Sequence, residues 1–281
     1  AFQTLQEIEN QTSRKTAASF TSRINEAAGG QMVSVSSSYL ELIQQSIEYS
    51  QVTEGSFDIT VGPMTTLWQF EDGQGRLPND QEIERHLFLV DYRNLQVDEL
   101  HQTVGLKEAG ALVDLGGIAK GFAVDQAVRV LKEEGIAAGM VNAGGDIRLF
   151  GLKPSQECWC IGVQHPRQPN AVLASLKLTD TSIVTSGDYE RYFFKDGIRY
   201  HHILDPKSGH PARNCQSVTI VSETALSGDA LSTGVFILGP ERGMALIEDL
   251  EGIEGLIIDG QGEAHVSSGL QSVIQWREDI H

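Results

Sequence analysis

The sequence is short of cysteine, of basic residues and of long apolar runs, and each shortage excludes something. Only three cysteines occur in 281 residues. Cys158 and Cys160 flank Trp159 in a strand-like stretch, so both point to one face, an arrangement poorly placed for a disulfide. No four-ligand zinc pattern accompanies them, and three inert thiols are the simplest reading. So few cysteines leave the redox compartment open. No stretch approaches the roughly 20 apolar residues needed to span a bilayer. Lys and Arg number 21 against 38 Asp and Glu, for a net charge of −17. Such a surface repels nucleic acid and anionic membrane. It also repels an anionic dinucleotide unless local donors or a metal ion intervene, although solubility alone accounts for the global charge. Internal repeats, low-complexity linkers, a Walker A loop and a GxGxxG fingerprint are all missing.

What is present is an ordinary globular composition, 40% hydrophobic, long enough for one large core or two closely packed lobes. The opening Ala1-Phe2-Gln3-Thr4-Leu5-Gln6-Glu7-Ile8 reads as an amphipathic helix rather than a signal peptide, so a targeting segment is expected to be absent or removed. Residues 1–29 read as helical up to Gly29-Gly30. A short strand at Val33–Val35 precedes a helix over about 39–54, with an N-cap offered by Ser36-Ser37-Ser38. Gly55 to Pro63 reads as extended, Gly62-Pro63 as a break, and 71–80 as a polar loop. A helix follows over 80–87, then strands near 93–98 and 102–106. A helix starts at Ala119 with a buried stripe of Phe122, Val124, Ala127, Val128 and Leu131. Strands are expected at 139–142, 147–151, 158–164, 172–178 and 182–186, and a hairpin turns on Asp196-Gly197. A strand at 218–221, helices over 225–236 and 241–249, and a hairpin around Asp259-Gly260 close the chain. Strands and helices mix without strict alternation, which indicates α+β, with largely antiparallel sheets packed against helices.

Three segments carry chemistry. In Val113-Asp114-Leu115-Gly116-Gly117-Ile118-Ala119-Lys120-Gly121 a strand delivers a carboxylate, glycines permit close backbone approach, and a helix begins. A helix N-terminus and Lys120 both attract phosphate. In Asp229-Ala230-Leu231-Ser232-Thr233 the carboxylate and the last hydroxyl lie one helical turn apart, hard oxygen ligands that suit Mg²⁺. Taken alone, however, an acid near the start of a helix is better explained by the helix dipole. In Tyr200 to Pro211 a strand carries His201 and His202 to opposite faces, so one can face a site. A histidine suits general-base work on a hydroxyl. A zinc site is disfavoured there for want of a third soft ligand. Ser182 to Arg191 brings hydroxyls to a strand end without the elbow of a hydrolase nucleophile.

In order along the chain, these segments resemble the ApbE family of FAD:protein FMN transferases. The match comprises Gly55 to Pro63 with Leu67-Trp68, Val113 to Gly121, Val141 to Asp146, Gly162 to Arg167, Thr185 to Tyr189, His202 to Pro211 and Asp229 to Thr233, roughly residues 40–240. Each segment is modest; their joint order is specific. The resemblance implies a T-fold-related architecture, either a single domain over 1–281 or two lobes with the FAD site between them. It implies FAD binding by Ser56, Phe57, Asp58, Asp114, Lys120 and the backbone of Leu204. It implies a metal, Mg²⁺, on Asp229, Thr233 and the backbone oxygen of Gly117, with His202 as the catalytic group. The implied reaction moves the FMN half of FAD to a threonine or serine hydroxyl of a partner flavoprotein and releases AMP. Water in place of that hydroxyl would give FMN and AMP; a flavin-binding protein without turnover is the alternative outside enzymology. Where the family often carries Ser-Thr-Tyr, alignment places Ser13-Arg14-Lys15, so the aromatic near the flavin is replaced by Lys15, with Phe20 as a substitute. The resemblance also implies an extracytoplasmic, periplasmic location, with any membrane attachment through a removed lipid anchor, and no nucleic-acid partner.

Overall fold

The computed structural model describes residues 1–70 and 75–277, in two compact units. The polar loop expected over 71–80 therefore lies partly outside the described residues. Elements are numbered in chain order. Among the described residues there are eight α-helices and four separate sheets. Strands pair antiparallel throughout, as expected for an α+β chain.

One unit spans Gln6–Ala119 and Glu190–Ala212. Helix α1 (Phe2–Thr12) leads to α2 (Phe20–Glu26). The single helix read over 1–29 is thus two. Small hydroxyl residues interrupt it: Ser19 Oγ accepts the Ser22 N–H and donates to the Ser13 carbonyl, which turns the chain between the helices. Strands β1 (Val33–Ser34), β2 (Leu95–Asp98) and β3 (Thr103–Leu106) form a small sheet in the order β1-β3-β2. Helix α3 (Ser37–Val52) is capped by Ser36 Oγ on the Tyr39 N–H and buries Tyr39, Leu42 and Ile43.

The run from Gly55 to Val61 is not extended. Asp58 Oδ1 accepts both the N–H and the hydroxyl of Thr60, so the backbone turns instead. Nor does Gly62-Pro63 break the chain there. Proline sits in the first turn of α4 (Gly62–Trp68), where its missing N–H costs nothing. Gly62 has a second constraint: a Cβ there would lie 2.4 Å from the Leu112 carbonyl oxygen. That close approach accompanies a parallel bridge between Val61 and Leu112, and Asp114 N–H donates to Ile59 O at 2.7 Å. Helix α5 (Asp80–Leu87) opens with a capping box from Asn79 and Glu82. Met64, Trp68, Phe70, Ile83, Phe193 and Leu204 make the aromatic core beneath α4. Trp68 Nε1 donates to the Gly209 carbonyl inside it.

The other unit holds residues 1–5, 120–189 and 213 onward. Six strands run in the order β13-β12-β11-β8-β5-β4: β4 (Gly139–Ala143), β5 (Asp146–Phe150), β8 (Ser182–Gly187), β11 (Cys215–Ser222), β12 (Glu254–Asp259) and β13 (Ala264–Val266). A three-stranded sheet, β6 (Trp159–Gln164), β7 (Val172–Leu178) and β14 (Ile274–Trp276), packs its apolar face on the first. The pleat divides side chains in β8: Ile183 joins Leu149, Leu176 and Leu256 between the sheets, while Val184 meets Val124 and Ala225 on the other face. Those last two belong to helices α6 (Ala119–Glu133) and α7 (Ala225–Leu238). Helix α8 (Pro240–Asp249) lies against α7 and β12. Strand β11 is buried along its whole length, as a central strand covered on both faces must be. Cys158 and Cys160 are exposed free thiols and Cys215 a buried one.

Candidate active site

Helix α7 is apolar on nearly every side, and Asp229 is its only charged residue. A carboxylate buried this way requires partners. Its Oδ2 accepts the Gly121 N–H at 3.1 Å, in the first turn of α6. Gly121 makes that approach possible: a Cβ there would stand 2.2 Å from the Ala225 carbonyl oxygen. Asp229 Oδ1 lies 3.7 Å from Lys120 Nζ, and Lys120 in turn donates to Asp146 Oδ1 at 2.8 Å. Lys120, Asp146 and Asp229 thus form one cluster.

The dipole explanation of Asp229 does not survive. The N-terminus of α7 is served by Thr224 Oγ1, on Ser227 N–H, and by Asp125, whose two oxygens accept the Ala225 and Leu226 N–H groups at 3.0 and 2.9 Å. Asp229 sits one turn further on and answers instead to the N-terminus of α6.

Asp146 is the most strained acid of the cluster. Burial, then the charge of Asp229, push its carboxyl up to about 8 against the opposing pull of Lys120. Its Oδ2 is buried with no hydrogen-bond donor among the described residues. Two crowded carboxyl groups and an orphaned oxygen are the donor chemistry a hard divalent cation satisfies. Thr233, one turn along α7 from Asp229, adds a hydroxyl 3.3 Å from Ser186 Oγ. Among the described residues no three His, Cys, Asp or Glu side chains group as a metal site. The set implied by the resemblance contains one carboxylate, Asp229, with the Thr233 hydroxyl and the Gly117 carbonyl. Gly117 lies in the turn just before α6.

In the unit of residues 6–119 and 190–212 the expected flavin ligands behave differently. Asp114 Oδ2 accepts from Arg14 Nη1 at 2.6 Å and from Thr65 Oγ1 at 2.8 Å, and its Oδ1 accepts the Gly116 N–H. The Gly-Gly turn is therefore an Asx turn built on Asp114. Burial raises the Asp114 carboxyl, but the Arg14 charge and these donors outweigh it and hold it below the ordinary range. Arg14 also donates to Thr65 and Thr66. Asp58 is spent in the same way: Oδ1 on Thr60, Oδ2 on the Tyr92 N–H at 2.8 Å. Burial still leaves its carboxyl raised. Ser56 and Phe57 are buried, the latter's N–H held by Thr53 Oγ1. Leu204 packs into the Trp68 core and bridges Pro211 through its backbone.

The two histidines do divide between faces. His201 is buried; its Nδ1 accepts the Ile203 N–H, so Nε2 carries the proton and donates to the Ala212 carbonyl at 2.6 Å. His202 is half-buried at the end of the hairpin strand, with Nδ1 3.3 Å from the Arg191 carbonyl. A carbonyl only accepts, so that contact puts the proton on Nδ1 and the basic lone pair on Nε2.

Sequence reasoning gave no role to Asp146, Arg14 or Asp125. Asp146 lies within the quoted Val141–Asp146 segment, but its partner Lys120 is 26 positions away. Arg14 is 100 positions from Asp114 and has no local signal at all.

The chain belongs to the ApbE family: the family model of that name matches residues 1–257. A FAD:protein FMN transferase from Klebsiella pneumoniae is 35% identical over 269 residues, 95% of this chain and 83% of that one. One of the same name from Vibrio cholerae is 36% identical over 248 residues, covering 87% and 74%. Among solved structures, an ApbE protein from Thermotoga maritima aligns with a TM-score of 0.91 at 36% identity, over 99% of this chain and 90% of that one. The flavin transferase ApbE from Vibrio cholerae aligns with a TM-score of 0.86 at 32% identity, over 97% and 88%.

Proposed function

We propose that this chain is an FAD:protein FMN transferase that moves the FMN half of FAD to a threonine or serine hydroxyl of a partner flavoprotein and releases AMP. Family membership and the names of the relatives support the reaction class. The observation that carries the site is the buried cluster of Asp229 and Asp146 around Lys120. Asp229 and Thr233 would hold Mg²⁺, with Asp146 beside them. The ion would neutralise the pyrophosphate and polarise the phosphorus under attack. Lys120 contributes a further cation to the phosphate. Asp114 and Asp58 position the backbone around the flavin nucleotide, because their own oxygens are already taken. His202 accepts the hydroxyl proton through Nε2 as the oxygen attacks. Phosphoryl-type transfer otherwise depends on positioning and electrostatics. The extracytoplasmic location implied by the resemblance belongs to this reading; no helix among the described residues is long and apolar enough to cross a membrane.

The test is to incubate the protein with FAD, Mg²⁺ and an apo-flavoprotein, then look for in-gel flavin fluorescence and released AMP. Covalent flavin with AMP is expected. FMN and AMP in equal amounts with no labelled protein, across several acceptors, would replace the transferase with a pyrophosphatase. Intact FAD after long incubation would leave only a binding protein.

A further inference from the structure

Asp125, in the middle of α6, and Arg148, in β5, have no part in the proposed chemistry, yet both are largely covered, with side chains 20% and 14% exposed. Arginines elsewhere find partners of good geometry. Arg167 forks onto the two oxygens of Asp188 at 2.7 and 2.8 Å. Arg199, in the hairpin of β9 (Tyr192–Lys195) and β10 (Ile198–His201), lies 4.4 Å from the Tyr192 ring centre. Arg148 Nη1 is buried with no hydrogen-bond acceptor among the described residues, and it stands 3.8 Å from Asp125 Oδ1. It acts on Asp125 as a nearby charge rather than as a bonded partner. Burial raises the Asp125 carboxyl; the backbone N–H groups it accepts and the Arg148 charge oppose that rise.

Asp125 spends both oxygens on the first turn of α7, through the Ala225 and Leu226 N–H groups at 3.0 and 2.9 Å. One turn earlier on α6, the Gly121 N–H donates to Asp229 Oδ2, one turn later on α7. The two contacts are four residues apart on each helix, so α7 is pinned to α6 at two points and a slide along it breaks both. Ala225, Asp229 and Thr233 follow one another at four-residue steps along one face of α7. A displacement at the first therefore reaches the other two. Strand β5 backs both contacts. Asp146 and Arg148 are two apart in it and share the face turned to the helices, while Leu149 enters the core between the sheets. Asp146 meets Lys120 beside one contact, and Arg148 meets Asp125 beside the other.

We propose that Asp125, backed by the charge of Arg148, is a positioning residue for the cation site: by holding the first turn of α7 on α6 it sets where Asp229 and Thr233 stand beside Lys120 and Asp146. The proposal rests on the reading of Asp229 and Thr233 as metal ligands. Asp125 itself touches neither the ion nor FAD. Its effect on the metal passes through the backbone of α7, and its requirement is for two acceptor oxygens, one for each N–H. An asparagine offers only one.

The experiment titrates the full chain with Mn²⁺ in the absence of FAD and reads the free ion by electron paramagnetic resonance, well below the unfolding temperature. The site is the binding that Asp229→Asn abolishes. Asp125→Asn should weaken that binding about tenfold, the lower end of what losing a metal ligand's support costs, and the Mg²⁺ needed for half-maximal FAD cleavage should rise by a similar factor. Arg148→Met should weaken it about threefold, and Arg148→Lys, which keeps the charge, should restore most of the loss. Added to Asp125→Asn, Arg148→Met should have little further effect, because the two act through one contact. Leu176→Ala, between the sheets of the same unit, controls for stability: its melting temperature should fall while its Mn²⁺ affinity stays that of wild type. Wild-type affinity in Asp125→Asn and Arg148→Met, with only their melting temperatures lowered, would overturn the proposal and leave Asp125 a helix cap. An equal loss of affinity in Leu176→Ala would also overturn it. If Asp125→Asn does not fold, Arg148→Met and Arg148→Lys decide. Unchanged Mn²⁺ binding in Asp229→Asn would instead remove the metal reading, and this inference with it.

Discussion

Asp58 and Asp114 lie in one unit of the chain, Asp146 and Asp229 in the other, and the two pairs of carboxylates are used in opposite ways. The first pair is saturated. Every oxygen of Asp58 and Asp114 accepts from a backbone N–H, a threonine hydroxyl or Arg14. The second pair is crowded. Asp146 and Asp229 share Lys120, one oxygen of Asp146 has no donor among the described residues, and the Asp146 carboxyl is pushed up to about 8. A saturated acid shapes the backbone near it; a crowded one leaves binding capacity unspent. The neighbouring histidines also differ: both nitrogens of buried His201 are engaged within the unit, whereas half-buried His202 places Nδ1 3.3 Å from the Arg191 carbonyl.

The sharpest way to break this contrast is at the crowded pair. Asp229→Asn keeps an acceptor for the Gly121 N–H and removes the charge. FAD cleavage should fall by about 10³-fold or more, the several kcal/mol a divalent cation supplies, while thermal unfolding stays close to wild type. Unchanged AMP release in that variant would remove the proposed metal site. Next is His202→Ala, which should slow protein labelling by about 10²–10⁴-fold and leave FAD affinity nearly intact. Equal losses in both would make His202 a binding residue.

The saturated pair should respond in stability. Asp58→Ala strips the acceptor from two N–H groups and a hydroxyl and should cost about 2–4 kcal/mol in denaturant unfolding. Any loss of FAD cleavage should recover at lower temperature as the fold is restored. A stable, inactive variant would show that Asp58 contacts the substrate. Arg14→Ala should give the smallest effect, about 1 kcal/mol at neutral pH, and a distinctive pH signature. The Asp114 carboxyl is depressed in the folded state, so its contribution is present above its unfolded value of 3.8 and is lost as pH falls through the lower folded value. Without Arg14 that loss should begin at higher pH, seen as acid unfolding displaced upward. Coincident acid transitions would show that the Arg14 contact adds nothing.

Much of the architecture was legible because local signals were strong. Ser36 caps α3, Asn79 and Glu82 box α5, and Asp196-Gly197 turns the hairpin where period-two apolar patterns demanded it. The errors fell where a side chain outbid the backbone. Ser13 and Ser19 divide the first helix, and Asp58 bends a run whose composition reads as extended. The motifs singled out Lys120, Asp229 and His202 as candidates. What they could not show was which acids are already satisfied. Arg14 reaches Asp114 across 100 positions and Lys120 reaches Asp146 across 26, and no periodicity encodes such pairs.

The most direct measurement is a Mg²⁺ titration of FAD turnover with an acceptor present, starting from metal-free protein in chelator. The account predicts neither AMP nor covalent flavin without the ion, a saturating rise as it is added, and a flat response in Asp229→Asn. Full-rate labelling of the acceptor in chelator would contradict it.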